Sequence, residues 1–126
     1  MTASLRDGLL LAVYCAVIFF LSHQSTLPMP LAFPHQDKLS HLLAYAVMAV
    51  LAWHTFSHHL SSCRAVALVT VVFCSLYGMS DEFHQSFVAG RNSEVADWLA
   101  DTLGAAIATV AMIRYQQRRN DPAREV

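Results

Sequence analysis

The chain has 126 residues, 56% of them apolar and only 13% charged, with a formal net charge of -1. That balance excludes an ordinary soluble domain, and a charge so near zero gives no argument for a nucleic-acid partner. What remains is a single domain built for a membrane.

Four apolar runs are predicted as helices, near Gly8 to Leu21, Leu39 to Phe56, Ala65 to Gln85 and Val95 to Tyr115. A helix rises about 1.5 Å per residue against roughly 30 Å of hydrocarbon, so about 20 residues are needed to span it. The four runs reach that length once their polar ends are counted. The fold class expected is all-α, a polytopic membrane four-helix bundle over residues 1–115, followed by a polar tail over 116–126 that should fray.

The first run follows Arg6 and has the layout of a secretory signal, but it ends in Leu21-Ser22-His23-Gln24-Ser25 without an Ala-x-Ala-like cleavage site. It is read as the first span. Cys15, Cys63 and Cys74 match no disulfide framework or metal pair and receive no role. Between the first and second spans, Pro28, Pro30 and Pro34 alternate with Leu27, Met29, Leu31 and Phe33, a mixture that cannot stay helical yet suits the lipid interface. It is an outer connection that could also cover a polar site as a lid.

In the second span Asp37, His41 and Tyr45 recur every four residues, which stacks them on one helical stripe beside Lys38 and Ser40. Tyr77, Asp81 and Gln85 repeat the pattern in the third. In the turn after it, Arg91 follows Gly90, and its planar fork fits either a carboxylate, Asp81 or Asp97, or an anionic ligand. Asn92 or Ser93 is the expected N-cap of the fourth span, ahead of Glu94. Asp97, Asp101 and Gly104 then share one face at i, i+4 and i+7. Asp37 could likewise be the N-cap of the second span.

Arg6, Arg64, Arg114, Arg118, Arg119 and Arg124 fall on the side of the termini, whereas the other side has only Lys38 and Arg91. Basic loops stay in the cytoplasm, so both termini should be cytoplasmic. Asp37, Asp81, Glu82, Glu94, Asp97 and Asp101, six of the nine acids, then face outward. Lipid cannot satisfy such groups, so the three stripes should turn inward and meet in one polar pocket. Interhelical glue, worth about 0.6 kcal/mol per group, is an equal reading for Tyr45, Tyr77 and Gln85. It does not account for the acidic excess, which needs a cation, protonation or water. Trp53 and Tyr115 suit the inner aromatic belt and Trp98 the outer one. His23, His35, His58 and His59 are expected as solvated loop residues.

The string Tyr77-Gly-Met-Ser-Asp81-Glu82-Phe-His84-Gln85-Ser-Phe-Val-Ala-Gly90-Arg91, the following Asp97-x-x-x-Asp101-x-x-Gly104 and the earlier Asp37-Lys38-x-x-His41-x-x-x-Tyr45 together resemble the VanZ-like family of small bacterial integral membrane proteins. The matches cover about three of the four helices in order. Much of that family has an Asn where Asp101 stands, so this chain carries an additional acid. The resemblance implies that Asp37, Lys38, His41, Tyr45, Asp81, Glu82, Gln85, Arg91, Asp97 and Gly104 belong to a shared motif. It also implies a place in the bacterial cytoplasmic (inner) membrane and a link to glycopeptide or lipoglycopeptide tolerance, without assigning chemistry to any residue. His84 and Asp101 enter on spacing alone.

Two functional readings follow. In one, the pocket binds a membrane lipid headgroup, a lipid-linked cell-wall precursor or a lipoglycopeptide without an organic cofactor. Lys38 and Arg91 would hold the anionic part, and His41 and Gln85 would supply hydrogen bonds. In the other, Asp81 and His84 at i, i+3, with Glu82, Asp97 and Asp101, hold a divalent metal for hydrolysis or transfer of a lipid-linked phosphate. Ion movement would need a relay through inner helix halves that are nearly pure Ala, Val, Leu and Phe, with Trp53, His54 and Thr70 the exceptions, so none is expected. Oligomeric state is not legible.

Overall fold

A computed structural model describes residues 1–25 and 34–121. It contains four helices, α1 Ala3–Ser22, α2 Gln36–Ser57, α3 Cys63–Gln85 and α4 Val95–Arg119. All four are long and apolar enough to cross a membrane, and among the described residues there is no strand. Most of the connection suggested as a lid, residues 26–33 of the run from Ser22 to Gln36, lies outside the described residues, as does Arg124.

The helix ends follow from capping. Thr2 accepts from the Leu5 N–H at 3.3 Å and starts α1 a turn earlier than its apolar run, and Ser62 does the same for α3 through Ala65. Two expected caps are corrected. The residue before α2 is His35, in the left-handed region at φ 63, so Asp37 lies inside the first turn, where its charge suits the helix dipole. At α4 the capping position is Glu94, not Asn92 or Ser93, and its backbone N–H is satisfied from another helix. The tail also departs from expectation: Gln116 to Arg119 continue α4, because Gln and Arg propagate a helix and no Gly or Pro intervenes.

Side-chain contacts fix the topology. Ser22 meets Asp81 at one end and Asp7 meets His58 at the other, so α1 and α3 run together, opposite to α2. His41 meets Asp101 and Gly104 abuts Leu42, so α2 and α4 are parallel and closely packed. α1 sits at the edge against α2 and α3, with no close approach to α4. The termini and the α2–α3 turn therefore share one end, and the other two connections share the opposite end.

Tyr45, Met48, Ala49, Ala52, Cys74 and Ala105 form the centre of the core. Ala49, Ala52, Gly104 and Ala105 are small enough to let the α2 and α4 backbones approach, as between membrane helices generally. Leu43 and Val47, Leu68, Val72 and Leu76, and Leu99, Leu103 and Ile107 instead face outward at helical spacing. Apolar faces all round a bundle need hydrocarbon outside. This is a multi-pass membrane protein.

Several aromatic and histidine expectations change. Trp53 is buried in the bundle instead of lying in an interfacial belt, whereas Tyr115 is exposed. Trp98 Nε1 donates to the Ser75 carbonyl at 3.0 Å, tying α4 to α3. His58 is not merely solvated: its Nε2 lies 2.8 Å from Asp7, which Arg6 also contacts, and this clamps α1 to the α2–α3 turn.

Candidate functional site

The polar stripes of α2, α3 and α4 meet at the end opposite the termini, and α1 joins them. Three linked groups make up the cluster. In the first, Lys38 Nζ lies 2.8 Å from Glu94, 3.1 Å from Asp37 and 3.1 Å from Asp97. One ammonium thus offsets three carboxylates, of which Asp97 is buried.

The second group joins α2, α3 and α4. His41 Nδ1 lies 2.9 Å from Asp101 Oδ1 and 4.0 Å from Glu82 Oε1. Asp101 is fully buried, and it fits because α3 has no side chain at Gly78: a Cβ there would stand 2.7 Å from Asp101 Oδ2. Glu82 reaches across to accept the Glu94 N–H at 2.9 Å, satisfying a donor at the start of α4. Its other oxygen, Oε1, is buried without a hydrogen-bond partner, as are Asp101 Oδ2 and Tyr45 Oη.

The third group joins α1, α3 and the α3–α4 turn. Asp81 Oδ2 accepts from Ser22 Oγ at 2.9 Å and from Gln85 Nε2 at 3.1 Å. The opposite end of the Gln85 amide, Oε1, accepts from Arg91 Nη2 at 2.7 Å and from Nε at 3.2 Å. A neutral amide therefore links Asp81 to Arg91. Among the described residues Arg91 has no ion pair with a carboxylate, which corrects the expectation of a bond to Asp81 or Asp97.

Beside these groups lies a cavity of about 510 Å³. Ile18, Leu21 and Ala44 give it apolar walls, while Asp37, His41, Asp81, Gln85, Arg91, Glu94 and Asp97 give it polar ones. That division, apolar body with a few convergent polar groups, is characteristic of ligand sites.

A family model described as VanZ/LLP1 matches residues 8–116. The chain belongs to the VanZ/LLP1 family. It is similar to "Uncharacterized protein C11E3.10" of Schizosaccharomyces pombe, 29% identical over 118 residues, which are 90% of this chain and 68% of that protein. No solved structure matches.

Within this VanZ/LLP1 chain, Asp37, Lys38, His41, Tyr45, Asp81, Glu82, Gln85, Asp97 and Asp101 converge as their spacing predicts, and Arg91 reaches them from the turn. His84 does not join them. Its Nε2 lies 3.2 Å from His23 Nδ1 and its ring packs against Phe19, because that face of α3 looks toward the end of α1. The i, i+3 pair of Asp81 and His84 thus faces two different sets of partners. The possible donor groups among the described residues are His41, Glu82 and Asp97, and Asp37, Glu94 and Asp97, each with atoms within 4.8 Å of one another.

One participant carries no mark in the sequence. Ser22 is the polar end of the buried α1 stripe Asp7, Leu11, Ile18, Ser22, and its position in that stripe is the signal that could have found it. Glu94, counted among the outer acids and read as a helix-start residue, also holds Lys38.

Proposed function

We propose that this VanZ/LLP1 protein binds the anionic headgroup of a membrane amphiphile in the cavity between α1, α2 and α3. One observation carries the reading: Arg91 lines the cavity with its guanidinium held by an amide oxygen, while Lys38 is surrounded by three carboxylates. Among the described residues at this end Arg91 is thus the cation whose charge is left for a ligand, and its fork suits a phosphate oxygen pair. Lys38 positions the acids instead of meeting the headgroup. The apolar wall of Ile18, Leu21 and Ala44 receives the first carbons of the tail, and a volume of about 510 Å³ suits a headgroup with a short length of chain.

The excess of arginine on the side of the termini supports a cytoplasmic position for them, with the cavity open to the outer leaflet. The similarity to a yeast protein favours a ligand common to many membranes over one confined to a bacterial wall. Tolerance of glycopeptides would then be a consequence of altered surface lipid in those cells that meet such drugs.

The test is calorimetric titration of the protein in neutral detergent with short-chain phosphatidylglycerol and short-chain phosphatidylcholine. The anionic lipid binds with one-to-one stoichiometry and the zwitterionic lipid at least tenfold more weakly, and Arg91→Gln removes the difference. Equal binding of both lipids, or an unchanged preference in Arg91→Gln, overturns the reading.

A further inference from the structure

We propose that His41, Glu82 and Asp97 form a divalent-cation site, with Asp101 as the residue that orients the His41 ring. The inference goes beyond headgroup binding and does not depend on it.

Geometry provides the first support. One atom from each of the three residues lies within 4.8 Å of the others. Bonds of roughly 2.1 Å to a metal hold neighbouring donors about 3 to 4 Å apart, so the three side chains need to close only slightly. They come from α2, α3 and α4, and the packing of those helices fixes their backbones.

The second support is independent of proximity. The Glu82 side chain is 8% exposed, and its Oε1 has no hydrogen-bond partner although it points toward His41. A buried carboxylate oxygen left unpaired costs several kcal/mol or so of desolvation, which a bound cation, a proton or a water offsets. Its Oε2 is already committed to the Glu94 N–H. Among the described residues no lysine or arginine reaches either Glu82 or Asp101.

The neighbouring group of Asp37, Glu94 and Asp97 makes the contrast. It also has metal-like spacing, but Lys38 sits within 3.1 Å of all three and supplies the positive charge. Asp97 belongs to both groups, so Lys38 offsets one of the two carboxylates of the proposed site, and Glu82 is the one that no lysine or arginine reaches among the described residues. One nitrogen and two oxygens suit an intermediate divalent ion such as manganese or zinc better than calcium, which takes six to eight oxygens.

Asp101 completes the arrangement. At 2.9 Å it occupies His41 Nδ1, which leaves Nε2 as the nitrogen for the ion, and a carboxylate in that place commonly fixes the tautomer and angle of a metal-binding histidine. It is a positioning residue in this scheme. His41 and Asp97 also line the cavity, so an ion held here has a side open to it.

The experiment uses the full chain, purified without metal resin, stripped with chelator and titrated with manganese while free ion is followed by electron paramagnetic resonance. Zinc is measured by competition. The wild-type protein takes up one ion per chain, Glu82→Gln weakens uptake at least tenfold, and Asp101→Asn keeps the stoichiometry while lowering affinity 10- to 100-fold. His84→Gln leaves uptake unchanged, which separates this site from the Asp81 and His84 pair. Bound manganese with nitrogen hyperfine coupling that disappears in His41→Gln identifies the imidazole ligand.

Absence of stoichiometric uptake of both ions by the wild-type protein overturns the proposal, as does unchanged affinity in a folded Glu82→Gln variant. Should Glu82→Gln fail to fold, wild-type stoichiometry and the His41-dependent coupling still decide it. A lipid preference unchanged in Arg91→Gln beside intact metal uptake, or no metal uptake beside a preference that Arg91→Gln abolishes, tells the failure of one proposal from that of the other.

Discussion

His41 Nδ1 on α2 lies 2.9 Å from the buried Asp101 carboxylate on α4, and Gly78 on α3 leaves the space that Asp101 fills. Three helices thus set one ring. Gly78→Ala puts a methyl 2.7 Å from Asp101 Oδ2 if nothing moves, so the carboxylate is displaced and His41 loses its orientation. The expected outcome is a fall in manganese affinity comparable to that of Asp101→Asn in a protein that still inserts as four helices. Unchanged affinity would separate Gly78 from the site.

Gly104 has a different neighbour and a different effect. A Cβ there would overlap the Leu42 carbonyl, which is main chain and cannot rotate aside. Gly104→Ala must therefore push α2 and α4 apart, at a cost of about 1 to 3 kcal/mol by analogy with overpacked cores. Reversible unfolding in mixed dodecyl sulfate micelles measures it, and stability equal to wild type would show that the two helices pack more loosely.

Lys38 is predicted to act through its neighbours. Lys38→Met leaves Asp97 buried and unpaired, while Asp37 and Glu94 keep access to solvent. The cost falls between that of exposed and buried ion pairs, about 1 to 3 kcal/mol. Adding Asp97→Asn should recover most of the loss. A double variant no more stable than Lys38→Met would mean that the pair is not coupled.

Ser22 tests whether α1 belongs to the site or only flanks it. Ser22→Ala removes one donor from the buried Asp81 and is expected to cost about 1 to 3 kcal/mol, as for hydrogen bonds to charged groups. Because Ser22 also lines the cavity, phosphatidylglycerol binding should weaken with it. Stability lost without any change in lipid binding would reduce Ser22 to a helix fastener.

Four helices and three converging stripes were legible because each stripe repeats a polar group every turn inside an apolar run, and hydrocarbon permits only one direction for such groups. Ser22 was obscure because α1 contributes one polar residue to the cluster, and a single serine carries no period. Spacing says which face a residue occupies but not what lies opposite: Asp81 and His84 are one turn apart, yet one meets Ser22 and Gln85 while the other meets His23 and Phe19. Arg91 lies in a turn, where helical periodicity has no reach, so its bond to Gln85 in place of a carboxylate could come only from the fold. The cap of α4 was displaced by a tertiary effect, since Glu82 on α3 serves the start of that helix.

Native mass spectrometry of the protein released from bilayers of equal phosphatidylglycerol and phosphatidylcholine tests headgroup binding most directly. The account predicts that the wild-type chain retains one anionic phospholipid and that Arg91→Gln retains none selectively. Release of lipid-free wild-type protein, or retention of both lipids in the bilayer ratio, would contradict it.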